Sequence, residues 1–390
     1  MSRDSVRRGE TDVTLRLLQC LFVNIAVMVM WTSHASAVDW SLKLGASQSL
    51  TVNDNINLAA IARDTAVQTM SQFNFDLLGK SKSYEIEFAP SMNLEKTFFG
   101  ETPNEWAYQP AARVDFRKMG KVTTVDIFAS FARTDASSNQ LLRDILTTNE
   151  GEQLTYSTGA LTTDKINSQN TVEWSNVASG VDYTIPSDDL VPSFDLNSTI
   201  TWRRQLSQLV GADFSGGIEY YQPKSEAISD AWGYRSSIGA HVRLTKRLTV
   251  NGNAGVVLWN PVGAQPIIGP RLSVSADDSF KDTNFTASAV LDLSPGTDGK
   301  IINTFSTKIT VAHKVNDLLS LGLTGQYSMD WSSGSGTSRV LRLSPSLNYQ
   351  LSRNWQSSMS YQFVQSDDAG TAAYSNALTL SLSYGGVVLP

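Results

Sequence analysis

Few residues in this sequence could carry catalytic or metal chemistry. The 390-residue chain has three histidines and one cysteine. Hydrolysis by side chains needs a nucleophile with a neighbouring base, and that base is usually a histidine. Beyond residue 37 only His241 and His313 remain, and neither belongs to a paired motif. We therefore predict that the protein is not an enzyme, holds no metal and needs no cofactor.

Charged side chains form a larger set, and they stand on alternate residues of extended runs. This phase predicts a set of pore-lining residues: Arg113, Asp115, Arg117, Asp126, Arg203, Asp213, Glu219, Arg235, Arg243 and Arg342, together with Glu85, Glu87 and Lys308. Facing acidic and basic rows in a water-filled lumen would select among ions. The alternative is a plain solvated lumen in which ion pairs only stiffen the wall.

The arginines of this set suggest a basic strip along the lumen. Its best candidates are Arg113 with Asp115 and Arg117, the adjacent Arg203 and Arg204, and Arg235 with Arg243. Such a strip would favour anionic or sugar-like solutes.

These charges need strands to position them, and the sequence supplies a repeated strand pattern. From Trp40 onward, runs of ten to thirteen residues alternate apolar and polar side chains. In the run 231–244, Trp232, Tyr234 and Ile238 share one phase, whereas Arg235 and His241 share the other. Successive side chains of a strand point to opposite faces, so each strand has one apolar face and one polar face.

About eighteen such segments follow one another, and short polar turns alternate with longer connections. This layout is typical of a transmembrane barrel, with an even strand number and both termini in the periplasm. We therefore predict an all-β fold, an antiparallel up-and-down transmembrane barrel of about eighteen strands. The segments near residues 153 and 168 are weakly patterned, and without them the number would be sixteen.

Tryptophans provide independent support for a membrane barrel. Seven of them stand near proposed strand ends, where amphipathic rings favour the membrane interface. These are Trp40, Trp106, Trp202, Trp232, Trp259, Trp331 and Trp355. Trp174 alone falls near a strand middle.

The chain begins with features of a secretory signal. Arginines precede an apolar run, 17–31, and a small-x-small site follows at Ala35-Ser36-Ala37. We predict cleavage between Ala37 and Val38, a signal peptide at 1–37 and one barrel domain at 38–390. Cys20 lies inside the signal, so the exported chain would lack thiols.

The predicted localisation is the outer membrane of a Gram-negative bacterium. The expected partners are outer-membrane lipid, lipopolysaccharide, the barrel assembly machinery and small hydrophilic solutes, and self-association into a homo-oligomer is left open. The net charge of −6 argues against nucleic acid as a partner.

Two short motifs resemble a known family. The first is Ser49-x-Thr51-x-x-Asp54-Asn55-x-x-Leu58, and the second comprises Trp355–Tyr361 and Tyr374–Tyr384. Both resemble the type 2 β-barrel porins, some of which are associated with exopolysaccharide systems. The resemblance implies a passive pore or an accessory of polysaccharide export. The chain departs from the usual aromatic end of such barrels, because six residues follow Tyr384.

Three functions therefore remain open at this point. The first is a porin-like channel for passive diffusion of small hydrophilic solutes. The second is a non-conducting accessory of an exopolysaccharide export system, and the third is a barrel that anchors surface-binding loops. The connection from Thr134 to Gln153 is the longest, and we predict that it folds inward to narrow the pore. The outer pairs Asp188-Asp189 and Asp367-Asp368 are candidates to contact divalent cations near lipopolysaccharide.

Overall fold

The computed structural model describes residues 38–56, 58, 65–99, 106–135, 152–185, 190–225, 227–331, 337–368 and 371–389. Within these ranges the chain forms strands, turns and bends, and it has no helix. None of the described residues therefore belongs to a helix that could cross a membrane.

Eighteen strands make up one sheet. Their bounds are β1 Asp39–Asn53, β2 Ala66–Lys80, β3 Tyr84–Phe99, β4 Trp106–Met119, β5 Thr123–Asp135, β6 Glu152–Lys165, β7 Asn170–Tyr183, β8 Ser193–Gln205, β9 Val210–Pro223, β10 Ala231–Arg243, β11 Thr249–Pro261, β12 Ile267–Phe280, β13 Thr283–Pro295, β14 Ile301–Lys314, β15 Leu319–Trp331, β16 Thr337–Gln350, β17 Trp355–Asp368 and β18 Thr371–Leu389.

Every strand pairs antiparallel with its neighbours in sequence, and β1 pairs with β18 to close the barrel. The weakly patterned segments are real strands, because β6 and β7 form a continuous ladder from Gln153↔Tyr183 to Lys165↔Thr171. The prediction of an eighteen-strand up-and-down barrel is confirmed, and the sixteen-strand alternative is wrong.

The outer surface of the barrel is apolar. Side chains of the outward phase, such as Ile238, Val256 and Ile268, are 57–73% exposed although they are hydrophobic. A closed barrel satisfies its backbone hydrogen bonds between strands, so such a surface is stable only in lipid. The protein is therefore an outer-membrane barrel, as predicted.

Most of the predicted interface tryptophans lie on this outer surface near strand ends. Trp40, Trp106, Trp202 and Trp355 are exposed there. Trp259 is the exception, because its register partners Gly233 and Ile267 place it on the inner phase and it is fully buried. Its assignment to the interface was wrong, since position along a strand does not determine the face on which a residue lies.

The connections at the end that carries both termini are short, and their side chains explain their shape. Asn167, Ser207, Thr245, Asn316 and Ser352 each accept hydrogen bonds from backbone N–H groups two and three residues ahead. Such side chains stabilise tight turns by replacing a backbone acceptor.

The last strand explains the unusual end of the sequence. β18 does not stop at Tyr384 but continues to Leu389, and Gly385 and Gly386 pair with Gly45 and Leu44 of β1. Residues 385–389 therefore belong to the wall of the barrel. The predicted signal peptide, 1–37, and its cleavage after Ala37 lie outside the described residues.

Candidate pore and its constriction

The predicted pore-lining residues all fall on the inner phase of their strands. They are Glu85 and Glu87 on β3, Arg113, Asp115 and Arg117 on β4, Asp126 on β5, Arg203 on β8, Asp213 and Glu219 on β9, Arg235 and Arg243 on β10, Lys308 on β14, and Arg342 on β16. The cross-strand register supports this assignment, because facing residues share one side of the sheet, as in Arg117↔Asp126 and Arg203↔Asp213. Arg204 differs: it follows Arg203 and therefore lies on the outer phase, so its place in a basic strip was wrong.

Two ion pairs lie on the inner wall of β4 and β5. Arg113 binds Asp115 through Nε at 2.6 Å and through an Nη atom at 2.7 Å, and Arg117 donates from Nε to Asp126. The guanidinium of Arg113 also lies 5.1 Å from the centroid of the Phe128 ring. Both arginine side chains are 54% exposed, whereas Asp115 is 35% and Asp126 28% exposed. The guanidinium groups therefore present their free edges to the lumen, and the carboxylates lie against the wall.

Further pairs lie farther along the wall, on β7 to β10. Arg203 binds Glu173 of β7, and Arg235 binds Glu219 across the β9–β10 ladder. The Arg235–Glu219 pair is the most buried of these, with side chains 16% and 9% exposed. Four of the arginines expected to form a basic strip, Arg113, Arg117, Arg203 and Arg235, are thus paired with carboxylates. Three of these partners lie on a neighbouring strand, where a single-strand pattern does not show them.

The remaining predicted residues occupy different levels of the wall. Arg243 ends β10 beside a short turn. The carboxylate of Asp213 lies over Gly239, where an added Cβ would come within 2.4 Å of Oδ2. Arg342 faces Gln326 and Val364 in the register of β16 with its neighbours.

The lumen narrows where β13 separates from β12. Their ladder ends at Leu272↔Leu291, although β12 starts at Ile267 and β13 runs to Pro295. Pro270 and Pro295 stand in the two separated segments, and proline cannot donate to a ladder. Because β13 stays paired with β14 as far as Pro295↔Ile301, the end of β13 and the start of β14 leave the wall as one unit.

The outer end of the β13–β14 hairpin, residues 292–302, leans into the lumen. At its tip Val191, before β8, donates its backbone N–H to the carbonyl of Thr297 at 2.9 Å. These residues belong to connections separated by six strands, so this bond reaches across the lumen. We call residues 292–302 the inward hairpin.

An apolar cluster packs the base of the inward hairpin against the inner wall. Trp259, Val257, Leu293, Tyr221 and Ala231 are each at most 2% exposed. The indole N–H of Trp259 donates to the carbonyl of Leu293 at 3.0 Å, which replaces a bond that the interrupted ladder cannot make. The paired prolines at 270 and 295 were the available sequence signal for this feature.

A cavity of about 580 Å³ lies between the inward hairpin and the inner wall of β5–β9. Its polar lining comprises Ser130, Gln153, Thr155, Ser157, Ser179, Ser193, Asp195, Glu219, Ser294 and Thr297. Tyr183 and Tyr221, on the inner phase of β7 and β9, add aromatic surface. We call this space the hairpin cavity.

The family-like motif of the first strand closes the barrel at its outer end. Asp54 accepts hydrogen bonds from the backbone N and Nδ2 of Asn376, both at 2.7 Å, and Asn55 donates from Nδ2 to the carbonyl of Tyr374 at 2.7 Å. Leu58 then packs against inward residues of β16, β17 and β18. The motif therefore fastens β1 to β18 and fills part of the lumen.

The two histidines make ordinary polar contacts. His241 faces the lumen, with Nε2 3.2 Å from Oε1 of Gln205, and Nδ1 of His313 lies 2.8 Å from the Thr283 hydroxyl. The described part of the chain contains no group of three side chains that could hold a metal ion. The connection 136–151, predicted to fold inward, and Asp188-Asp189 lie outside the described residues. The inward segment that the structure shows is the β13–β14 hairpin.

Comparisons with known proteins agree with this architecture. Residues 217–382 match the family described as "Putative MetA-pathway of phenol degradation". No curated protein sequence matches the chain significantly.

Solved structures of outer-membrane channels share the fold. OccAB4 of Acinetobacter baumannii is 11% identical with a TM-score of 0.50, and the match covers 90% of this chain and 98% of that chain. OccK2 (OpdF) of Pseudomonas aeruginosa in complex with glucuronate is 9% identical with a TM-score of 0.52, covering 90% and 99%. OpdK of the same organism with vanillate is 9% identical with a TM-score of 0.51, also covering 90% and 99%. At these identities the likeness concerns the fold. These solved structures thus share the outer-membrane barrel fold with this chain, and the family match is confined to residues 217–382, less than half of its length.

Proposed function

We propose that the protein is a passive outer-membrane channel for small hydrophilic solutes, above all hydroxylated, sugar-like ones. The observation that carries this proposal is the inner wall, where ion pairs and hydroxyl groups surround a polar cavity of about 580 Å³ at the inward hairpin. Hydroxyl groups both donate and accept, so they can replace the water around a polyol as it passes. We further propose that the protein has no enzymatic role.

Organic anions are the second candidate class of solute. The free edges of Arg113 and Arg117 favour them, because these guanidinium groups are more exposed than their carboxylate partners. OccK2 and OpdK, which share the fold, have been solved with the carboxylates glucuronate and vanillate.

The test is single-channel conductance of the folded, detergent-purified protein in a planar bilayer, with reversal potentials measured in a salt gradient. We expect stable current steps. Anion preference lost in Arg113→Glu and Arg235→Glu would favour the second class of solute, and weak ion selectivity would favour the first. Absence of conductance from demonstrably folded protein would overturn the channel and favour an exopolysaccharide accessory or a loop anchor. Lipopolysaccharide, the assembly machinery and self-association remain predictions.

A further inference from the structure

We propose that the hairpin cavity is a binding subsite for a neutral polyhydroxylated solute of about monosaccharide size. The inference rests on the proposed channel and names the solute class that this channel selects.

The cavity has the size of a ligand site and fixed boundaries. Its volume of about 580 Å³ falls within the range of small-molecule sites. One side is the regular wall of β5–β9, and the other is the turn that contains Gly296 and Thr297. The Val191–Thr297 backbone bond and the cluster around Trp259 hold that turn in place. A solute crossing at this level therefore meets a preformed surface rather than open water.

The polar groups of the wall suit hydroxylated molecules. Ser130 and Ser157 lie 2.7 Å apart through their hydroxyl oxygens, and Thr155 donates to the carbonyl of Ala132 at 3.4 Å. With Ser179 and Ser193 they form a surface on which each group has a further lone pair or proton to offer. Polyols match this surface because their hydroxyl groups have the same dual capacity.

The charge of the lining disfavours organic anions. The lining residues of the cavity include two carboxylates, Asp195 and Glu219, and no lysine or arginine. Arg235, the basic residue that binds Glu219, is itself largely buried at 16% exposure. A carboxylate-bearing solute would meet like charge in a confined space, whereas a neutral polyol can donate to the same oxygens. Discrimination against anions is therefore assigned to this cavity, separately from the exposed arginines of β4.

Two matched variants on one strand test the location of the subsite. Ser179 and Ser175 lie four residues apart on the same face of β7, and only Ser179 lines the cavity. We would measure the block of ionic current by glucose and by glucuronate for the unaltered protein, Ser179→Trp and Ser175→Trp. We expect glucose to block more strongly than glucuronate, and Ser179→Trp to weaken the glucose block about tenfold, which corresponds to 1.4 kcal/mol. Ser175→Trp should leave the block nearly unchanged.

Two milder variants keep the test informative if a tryptophan prevents folding. Thr155→Val removes one lining hydroxyl at constant volume and should weaken glucose block severalfold. Asp195→Asn should strengthen glucuronate block and narrow the difference between the two solutes. Stronger block by glucuronate than by glucose, or equal effects of Ser179→Trp and Ser175→Trp, would overturn the subsite. A folded protein that conducts no ions would instead overturn the channel itself.

Discussion

Individual charges in this lumen act as pairs, so their effect on permeation depends on which partner is removed. Asp115 and Asp126 neutralise Arg113 and Arg117 at close range. We expect the double variant Asp115→Asn, Asp126→Asn to shift ion selectivity toward anions, because two guanidinium groups then face the lumen without their counter-charges. The permeability ratio should change by about two- to fivefold, as rings of charge set selectivity in pores. Reversal potentials in a salt gradient measure this shift, and Arg113→Gln with Arg117→Gln should give the opposite sign.

Asp317 provides the control for this experiment. It lies in a short turn outside the spanning strands, is 94% exposed and accepts a hydrogen bond from Lys314 at 2.7 Å. That hydrogen bond lowers the pKa of Asp317, so the residue is charged at neutral pH. Asp317→Asn removes a full charge without touching the spanning wall, and it should leave the reversal potential in place. An equal shift in this variant would mean that net charge, rather than the paired wall, controls selectivity.

At the scale of the element, the inward hairpin is held by a few buried contacts rather than by a full ladder. We expect Trp259→Phe to loosen it, because the variant removes the indole N–H that binds the Leu293 carbonyl and leaves that buried acceptor unpaired. Such a loss costs about 1–3 kcal/mol. Single-channel recordings should show a larger or noisier conductance, and the heat-induced gel shift of the barrel should occur at a lower temperature.

Trp174→Phe is the matched control for the hairpin. This indole also donates to a neighbouring strand, to Ser198 at 3.2 Å, but it lies on the exposed outer face of β7. We expect little change in conductance, since no part of the lumen depends on it. Equal conductance changes in both tryptophan variants would show that the hairpin does not control the width of the pore.

The elements themselves were largely predictable from the sequence, and the departures have physical causes. Even the weakly patterned segments near residues 153 and 168 correspond to strands, which begin at Glu152 and Asn170. Lipid imposes a period of two residues with one apolar face along the whole strand. The inner phase of Arg113, Glu219 and Arg235 followed from the same rule. The cross-strand partners of the arginines did not, since the pairing of Arg203 with Glu173, for example, depends on the register between strands. The complete burial of Trp259 against Leu293 depends on the gap between β12 and β13, which involves residues distant in sequence.

At the scale of the whole molecule, closure of the barrel joins residues that are more than 300 positions apart. In a closed up-and-down barrel, the fold predicted from the sequence, the first and last strands must pair, and an even strand number makes that pair antiparallel. The sequence also contained the residues that join β1 to β18, although they were recognisable only as the family-like motif that ends at Leu58. In the structure Asn55 is 5% exposed and binds the Tyr374 carbonyl, and Leu58 packs beyond it against Val364 and Ala373. The motif thus has a structural role in closure, independent of any solute.

This role leads to a prediction about the stability of the closed barrel. Asn55→Ala removes a buried side-chain donor at the β1–β18 junction and frees the segment that places Leu58, so we expect a loss of about 1–3 kcal/mol. The temperature of the heat-induced gel shift should fall by several degrees. Asn251→Ala is the control, because Asn251 donates to Ser275 at 3.0 Å within the β11–β12 ladder, far from the junction. A backbone ladder already joins β11 and β12 on both sides of this side-chain bond, so loss of the bond should lower the stability of the barrel less. If both variants lowered the transition equally, the first-strand motif would contribute no more to closure than any polar contact along the wall.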